Sequence, residues 1–525
     1  MLARIRSALL EGIEGREVIV DVEVDGGYPC VRLTGMAERA GKECLVRVAS
    51  ALRRCGYDLP GKRITIGVSP ADPPKRSAGL DLAVAVGLLA AQGQVPIERA
   101  ADGVFAGEVT LAGTLIPIRG ALPVALAAGR LGAGTLVLPA RNAAEVAPWV
   151  DLRVVGPHTL GDLVLHLLGR AEIPPPSAAS PAEASRPCGD LGDVVGQPVA
   201  RRALEIAAAG GHNLFLVGPP GSGKTLLAER MPGILPPMAP DEARETAIVH
   251  STAGLLDPRR RDATARPFRA PHHTVSYAGL VGGGNPQRPG EASLAHNGVL
   301  FLDELPEFNR AALEALRQPL ESGEIIVARA CGATAFPARF SLVAAANPCP
   351  CGHLGNPRRA CRCLPGAIER YQSRMSGPLL DRIDLQVHVG SVSPGDMDRA
   401  RPGDAERSDA VRARVGEARA RQAARASRLG LTAGTNARLA GPELAVAAPL
   451  DSTGRAFLVR AADRLGLTAR GYHRVIRIAR TIADIEGAAA VETRHLAEAV
   501  QYRLPDRHAT ADAAAVRAMS AAGLT

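Results

Sequence analysis

The sequence predicts an α/β chain organised around a doubly wound, parallel sheet. Three observations predict it. A largely apolar run, Asn213–Val217, feeds the glycine-rich octapeptide GPPGSGKT at Gly218–Thr225. A second run, Val299-Leu300-Phe301-Leu302, ends abruptly in Asp303-Glu304. Strand and helix patterns alternate between them, from Leu191 to about Ser391. Short apolar runs closed by polar residues are what strands buried on both faces look like.

Residues 1–170 form a mixed α/β unit of their own. Val18–Val24 alternates like a strand, and Cys30–Leu33 extends the sheet. Lys42–Cys55 has helical spacing, and Leu80–Ala91 is a helix apolar enough to be buried. Strands around Val104–Leu111 and Thr135–Leu138 bracket an Ala-rich helix, Leu122–Leu131. Residues 171–188 are rich in Pro, Ser and Ala without apolar periodicity, the composition of a linker. Residues 189–392 hold the parallel-sheet core, with Phe340–Ala346 as a further strand. In residues 393–525, Ser393–Arg428 reads as a linker passing into a solvated helix. Gly454–Arg464, Gly471–Ile485 and Thr493–Tyr502 then make a small helical domain.

The octapeptide matches G-x-x-x-x-G-K-[ST] in full. Gly218, Pro219, Pro220, Gly221, Ser222 and Gly223 form a loop whose backbone N–H groups can wrap phosphates. Lys224 reaches the β/γ oxygens of ATP, and the Thr225 hydroxyl faces Mg²⁺. Ligands of open α/β sheets bind at the C-terminal ends of the strands. Asp303 is therefore placed to hold Mg²⁺ and Glu304 to polarise the attacking water.

The 525 residues suggest about three domains. A net charge of +9 permits a nucleic-acid partner without requiring one. Only four of the 62 basic residues are lysine, a bias that a GC-rich genome also produces. The start, MLARIRSALLEGIEGREV, lacks the apolar core of a secretory signal. The longest apolar stretch, Leu80–Ala91, is too short to span a bilayer, so a cytoplasmic protein without a membrane is expected.

The nine cysteines are odd in number and five are scattered, which does not suit a disulfide framework. The other four cluster as Cys349-x-Cys351 and Cys361-x-Cys363, with His353 between. Soft thiolates gathered in one loop, 349–363, suit a tetrahedral structural Zn²⁺. An Fe–S cluster and unligated reduced thiols are the alternatives.

Taken together, the ordered motifs resemble one family, the ComM/YifB-type, magnesium-chelatase-like AAA+ ATPases. The resemblance rests on DVVGQPVARRALEIAAAGGHNLFLVGPPGSGKT (193–225), RAPHHTVSYAGLVGGG (269–284) and GEASLAHNGVLFLDELPEF (290–308). AAANPCPCG (344–352), SGPLLDRIDL (376–385) and ARGYHRVIRIARTIADIEG (469–487) complete it. It covers essentially the whole chain and implies an AAA+ core followed by a helical lid.

The resemblance also implies residue roles. Asn347 is similar to the sensor-1 residue that positions water at the γ-phosphate. Arg382 resembles the arginine finger offered to a neighbouring subunit's ATP, with Arg374 as the second candidate. A salt bridge of Arg382 to Asp381 or Asp384 is the competing reading. Arg470 resembles sensor 2, which couples lid motion to the nucleotide. A finger acting on a neighbour implies a ring, here a homohexamer.

Two insertions of this family face the central pore. They correspond to 266–289, with Arg266, Arg269 and Arg288, and to a hairpin within 321–340, with Arg329 and Arg339. Arginines at a pore would track DNA phosphates without reading sequence, although each could equally be a solvated surface charge.

The N-terminal unit resembles the proteolytic domain of Lon. Ser77–Ala91 is similar to the segment that starts at the Lon nucleophile, and 107–132 to the segment carrying the catalytic lysine. Here the lysine position holds Leu122, and no lysine lies between Lys75 and Lys224. Without an amine to take the serine proton, a non-proteolytic scaffold is expected.

The family implies an ATP-driven branch-migration helicase that extends heteroduplex when incoming single-stranded DNA recombines during natural transformation. The alternative is a magnesium-chelatase-type motor subunit that remodels a protein partner. The Lon-like domain and the cysteine cluster argue against that alternative.

Overall fold

A computed structural model of the chain describes residues 1–71, 78–176, 189–257, 264–284, 286–329, 332–356, 359–375, 377–392, 395, 398 and 405–503. The linker expected at 171–188 therefore falls mostly outside the described residues, as do Lys75, Ser77 and Arg358.

The N-terminal unit is built on seven strands: β1 (Leu2–Glu11), β2 (Glu14–Asp25), β3 (Cys30–Thr34), β4 (Arg63–Ser69), β5 (Gly103–Phe105), β6 (Thr135–Val137) and β7 (Arg153–Val155). Their order is β3-β4-β2-β1-β5-β6-β7. The antiparallel β1–β2 hairpin lies at the centre, and β1, β5, β6 and β7 run parallel beyond it. Helices α1 (Glu38–Arg54), α2 (Asp81–Ala91), α3 (Ala121–Arg130) and α4 (Leu160–Leu167) pack around the sheet. Every residue of α2 is buried. Its single charge, Asp81, is matched by a bidentate pair with Arg47 of α1 at 2.7 and 3.0 Å, as a buried carboxylate requires. The sequence pattern misses β1, because small Ala3, Ser7 and Ala8 fill inward positions where larger apolar residues would signal a strand.

The core holds β8 (Leu214–Val217), β9 (Phe268–Arg269), β10 (Val299–Leu302), β13 (Ser341–Ala346) and β14 (Leu385–His388). They form an all-parallel sheet of order β9-β10-β13-β8-β14. Between β10 and β13 the chain makes a hairpin, β11 (Glu324–Arg329) and β12 (Gly332–Pro337). Helices α5 (Pro198–Gly210), α6 (Lys224–Ile234), α7 (Pro240–Ala253) and α8 (Pro365–Ser373) surround the sheet. β8, β10 and β13 are buried almost throughout, which explains their unbroken apolar sequences.

The C-terminal residues form α9 (Ser408–Leu429), α10 (Ser452–Leu465), α11 (Ala469–Ile485) and α12 (Thr493–Gln501). α11 buries Val475, Ile478, Ala479 and Ile482, a stripe at helical spacing. α9 is not simply solvated. It buries Val411, Val415 and Ala418, and Arg419 and Gln422 donate to the last carbonyls of α5.

The two α/β units meet through α7. Ser251 near its end accepts the Leu122 N–H at 3.1 Å and donates to buried Glu145 at 2.7 Å. Ala247 and Ile248 join the apolar cluster of the N-terminal unit. Leu122, where the sequence resemblance puts the Lon lysine, is fully buried beside this joint.

Candidate nucleotide site

Strand register assembles the site. Val217 pairs with Ala346, and Leu302 pairs with Ala344. The residues that follow these strands, Gly218, Asp303 and Asn347, therefore emerge along one edge of the sheet. Gly218 has to be glycine, because a Cβ there would lie 2.1 Å from the Val389 carbonyl oxygen. Gly223 has φ +89°, a left-handed conformation that turns the loop into α6. Ser222 is buried and its carbonyl accepts from Gln197 at 3.3 Å.

Lys224 opens α6 and curls back over the loop. Its ammonium donates to the carbonyls of Gly218 (2.8 Å) and Pro219 (2.9 Å) and to Asn347 Oδ1 (3.2 Å). Burial lowers its pKa, and the charges of Asp303 and Glu304 oppose that shift. Thr225 Oγ1 donates to Asp303 Oδ2 at 2.7 Å, so the two expected Mg²⁺ ligands already touch. A hydroxyl and a carboxylate oxygen side by side are hard donors of the kind Mg²⁺ takes.

Glu304 follows at φ +53°, uncommon for a side-chain-bearing residue, with its N–H on Asp303 Oδ1 at 2.9 Å. Its carboxylate lies 3.5 Å from His273 Nδ1. Glu304 and Asn347 at the strand ends, together with Arg370, Tyr371 and Arg374 of the α8 region, line a cavity of about 620 Å³. Arg374 pairs across it with Glu307 at 3.1 Å. Sequence reasoning missed Glu307, Arg370 and the His273 contact. The only local signal was the His272-His273 doublet, whose ring centroids lie 4.0 Å apart with the planes tilted by 34°.

Arg382 lies just before β14, beside Asn213, whose amide donates to the Arg382 carbonyl at 3.1 Å. That is the opposite end of the strands from the phosphate loop. Its guanidinium, 8% exposed, pairs with Glu321 and donates to the Pro378 carbonyl. The salt bridge considered from sequence, to Asp381 or Asp384, is replaced by this one. Arg470, 61% exposed at the start of α11, lies 3.9 Å from the same Glu321. The structure thus brings Arg382 and Arg470 together on one carboxylate. Farther along α11, Arg474 pairs with buried Asp384 at 3.3 Å and ties the helix to the core.

The candidate DNA arginines divide. Arg266 is 9% exposed, paired with Glu242 at 2.9 Å and bonded to the Pro236 and Asn297 carbonyls. Arg269 belongs to edge strand β9 and is held bidentately by Glu291 at 2.6 and 2.8 Å. Both guanidiniums are held by carboxylates, with the Arg266 side chain 9% and the Arg269 side chain 35% exposed, and the segment read as an insertion begins with edge strand β9. Arg339 pairs with Glu245 at 2.8 Å but stays 42% exposed. Arg288 is exposed on a short ribbon, Gly282–Gly283 with Arg288–Pro289. Arg329 ends β11 opposite Gly332, at the hairpin turn.

The four loop cysteines converge. Sγ atoms of Cys349, Cys351 and Cys361 are 3.5 to 3.7 Å apart, and all four lie within 4.8 Å of one another. A disulfide needs sulfurs about 2.05 Å apart. A tetrahedral ion with metal–sulfur bonds of about 2.3 Å spaces them about 3.8 Å apart. Backbone N–H groups of Leu354, Cys351 and Cys363 point at sulfurs of the set, at 3.3 to 3.4 Å. N–H donors of Arg362 and His353 lower the Cys351 thiol pKa to about 6. This arrangement is compatible with one thiolate-bound ion such as Zn²⁺ and too tight for a multi-iron cluster. Every described cysteine is free of disulfide bonds, and no helix among the described residues is long and apolar enough to cross a membrane.

Comparison with known proteins agrees with this geometry. Residues 190–397 match the family profile described as magnesium chelatase, subunit ChlI, and 405–503 its C-terminal region. Residues 20–142 match a profile described as subunit ChlI of Mg-chelatase. The chain is 42% identical over 507 residues to competence protein ComM of Haemophilus influenzae, covering 96% of this chain and 97% of that one. It is 41% identical to YifB of Salmonella typhimurium, covering 96% and 98%. Lon protease of Rhizobium meliloti is 29% identical over 182 residues, 32% of this chain and 22% of Lon. Full-length identity at this level, together with the assembled phosphate loop and paired acids, makes the chain a member of the ComM/YifB group of magnesium-chelatase-like AAA+ proteins.

Proposed function

We propose that this protein is an ATP-hydrolysing, ring-forming DNA motor of the cytoplasm. The observation that carries the ATPase reading is the preassembled set Lys224–Asn347 and Thr225–Asp303, with Glu304 beside it. ATP would lie on the loop 218–223, with Mg²⁺ between Thr225 and Asp303. Glu304 would orient and deprotonate the attacking water, and Asn347 and Lys224 would face the γ-phosphate. Arg382 and Arg470 lie at the strand ends opposite this chain's own phosphate loop, which favours a neighbour's nucleotide over their own; Arg470 is exposed, and Arg382 would have to exchange Glu321 for that phosphate to act as a finger. A homohexamer is the assembly this implies. The cysteine loop would hold one structural Zn²⁺ through Cys349, Cys351, Cys361 and Cys363.

Near full-length similarity to a competence protein supports the DNA reading. The substrate would be branched or single-stranded DNA, and the reaction branch migration as incoming DNA recombines. Arg288, Arg329 and Arg339 remain the candidates for phosphate contacts. A second reading, a motor that remodels a protein partner, is favoured by the chelatase descriptions of all three matching profiles. Because the N-terminal residues also match such a profile, that domain alone does not separate the two. DNA binding measured by fluorescence anisotropy tests the choice. The motor reading expects affinity that falls steeply with salt; absence of DNA binding at low salt would favour the protein-remodelling reading.

A further inference from the structure

The cysteine loop is welded to the nucleotide site at both ends. On its first side, Cys349 lies two residues after Asn347, whose side chain meets Lys224. On its second side, Cys363 stands two residues before α8. Inside the loop, Gly352 adopts φ +76°, and a Cβ there would lie 2.5 Å from Pro220 Cδ. The loop therefore rests directly on the phosphate loop.

Helix α8 carries one wall of the cavity that Glu304 and Asn347 share, and its described anchors lie at its C-terminal end, where Met375 just past it is buried in the core. It has nine residues, too few to be stable alone. Tyr371 is its one buried residue, with the Asn347 backbone hydrogen-bonded to its hydroxyl. Gln372 donates to the Pro348 carbonyl at 3.0 Å, and the Arg374–Glu307 pair just past the helix is exposed. Exposed ion pairs contribute little.

We propose that the four-cysteine knuckle is the clasp of the nucleotide chamber: a thiolate-bound divalent ion joins the end of β13 to the start of α8. Metal occupancy then controls ATP turnover by setting the distance between Glu304 and Asn347 on one wall and Arg370 and Arg374 on the other. Nucleotide binding depends on the phosphate loop, Lys224 and Thr225, and is affected much less. This inference rests on the ATPase and metal readings above.

The test uses the full-length protein. Metal analysis of the purified chain is followed by hydrogen exchange of residues 359–375, binding of a fluorescent ADP analogue, and steady-state ATP turnover. Each is measured before chelation, after chelation and removal of the chelator, and after Zn²⁺ is restored, always in saturating Mg²⁺. A Cys361→Ser/Cys363→Ser variant is measured in parallel. The expected result is a bound metal whose removal speeds exchange across 359–375 and lowers kcat roughly tenfold or more. ADP affinity should change by less than about threefold, and Zn²⁺ should reverse all effects in the chelated wild type.

Bound metal whose removal leaves both exchange and kcat unchanged overturns the clasp and leaves the metal site standing. A purified chain that carries and takes up no metal overturns both. A metal-loaded chain without ATP turnover removes the ATPase reading instead, and the exchange data then decide the clasp.

Discussion

His296 offers a quantitative check on the packing around the core. It is fully buried, with Nδ1 accepting the Arg339 N–H at 3.0 Å and Nε2 3.1 Å from Glu245. Since Nδ1 is an acceptor, the neutral ring carries its proton on Nε2 and donates to Glu245. Burial lowers its pKa from 6.5 to about 4; Glu245 counters the shift, and the Arg339 and Arg438 charges add to it. The unfolded chain takes up a proton near pH 6.5 and the folded chain only near 4. Between those values the unfolded state holds more protons, so stability is complete above pH 6.5 and is lost as the pH falls towards 4. The shift of about 2.5 units corresponds to about 3 kcal/mol. Such a change moves the melting transition of a domain this size by roughly 6–12 °C. Differential scanning calorimetry from pH 7 to 4.5 measures it against His296→Gln, which keeps a donor and an acceptor but does not titrate. Wild type should lose clearly more of its core melting temperature than the variant. Parallel curves would show that His296 does not carry the shift.

Other outcomes follow from the nucleotide site and the arginines. Lys224→Ala should weaken ATP binding about 100-fold by removing the ammonium that faces the phosphates, read by titration with a fluorescent analogue. Glu304→Gln should keep ATP binding and cut turnover by roughly 10²–10⁴-fold; unchanged turnover in both variants would refute the site. Arg382→Ala should lower kcat by about 10³-fold, and mixing it with Lys224→Ala subunits should restore part of the activity. No recovery on mixing would leave Arg382 acting within its own subunit or only on structure. Arg288→Ala should weaken DNA binding equally across sequences and reduce the salt slope by about one, whereas Arg266→Ala should act through stability.

The phosphate loop and its partner acids were legible because the chemistry fixes both residue type and order. Lys224, Asp303 and Glu304 need little context beyond an apolar strand before them. Asn347, Arg382 and Arg470 are less visible. A single Asn or Arg carries no local signal, and only resemblance singled them out. Their partners are set by tertiary register, so Glu321, rather than Asp381 or Asp384, meets Arg382. The same cause hides the partners of Arg266 and Arg269. Two residues of β9 are too short a run to announce a strand, and nothing local shows that Glu242 and Glu291 will pair with them. The cysteine cluster was legible as a set, while its contact with Pro220 through Gly352 depends on how the loop folds back.

The most direct test of the central claim is ATP turnover together with branch movement on a labelled four-way DNA junction, with Glu304→Gln as the control. The account predicts turnover stimulated by DNA and junction movement that disappears in the variant. Turnover indifferent to DNA, with the junction left intact, would contradict a DNA motor and leave a protein-remodelling ATPase in its place.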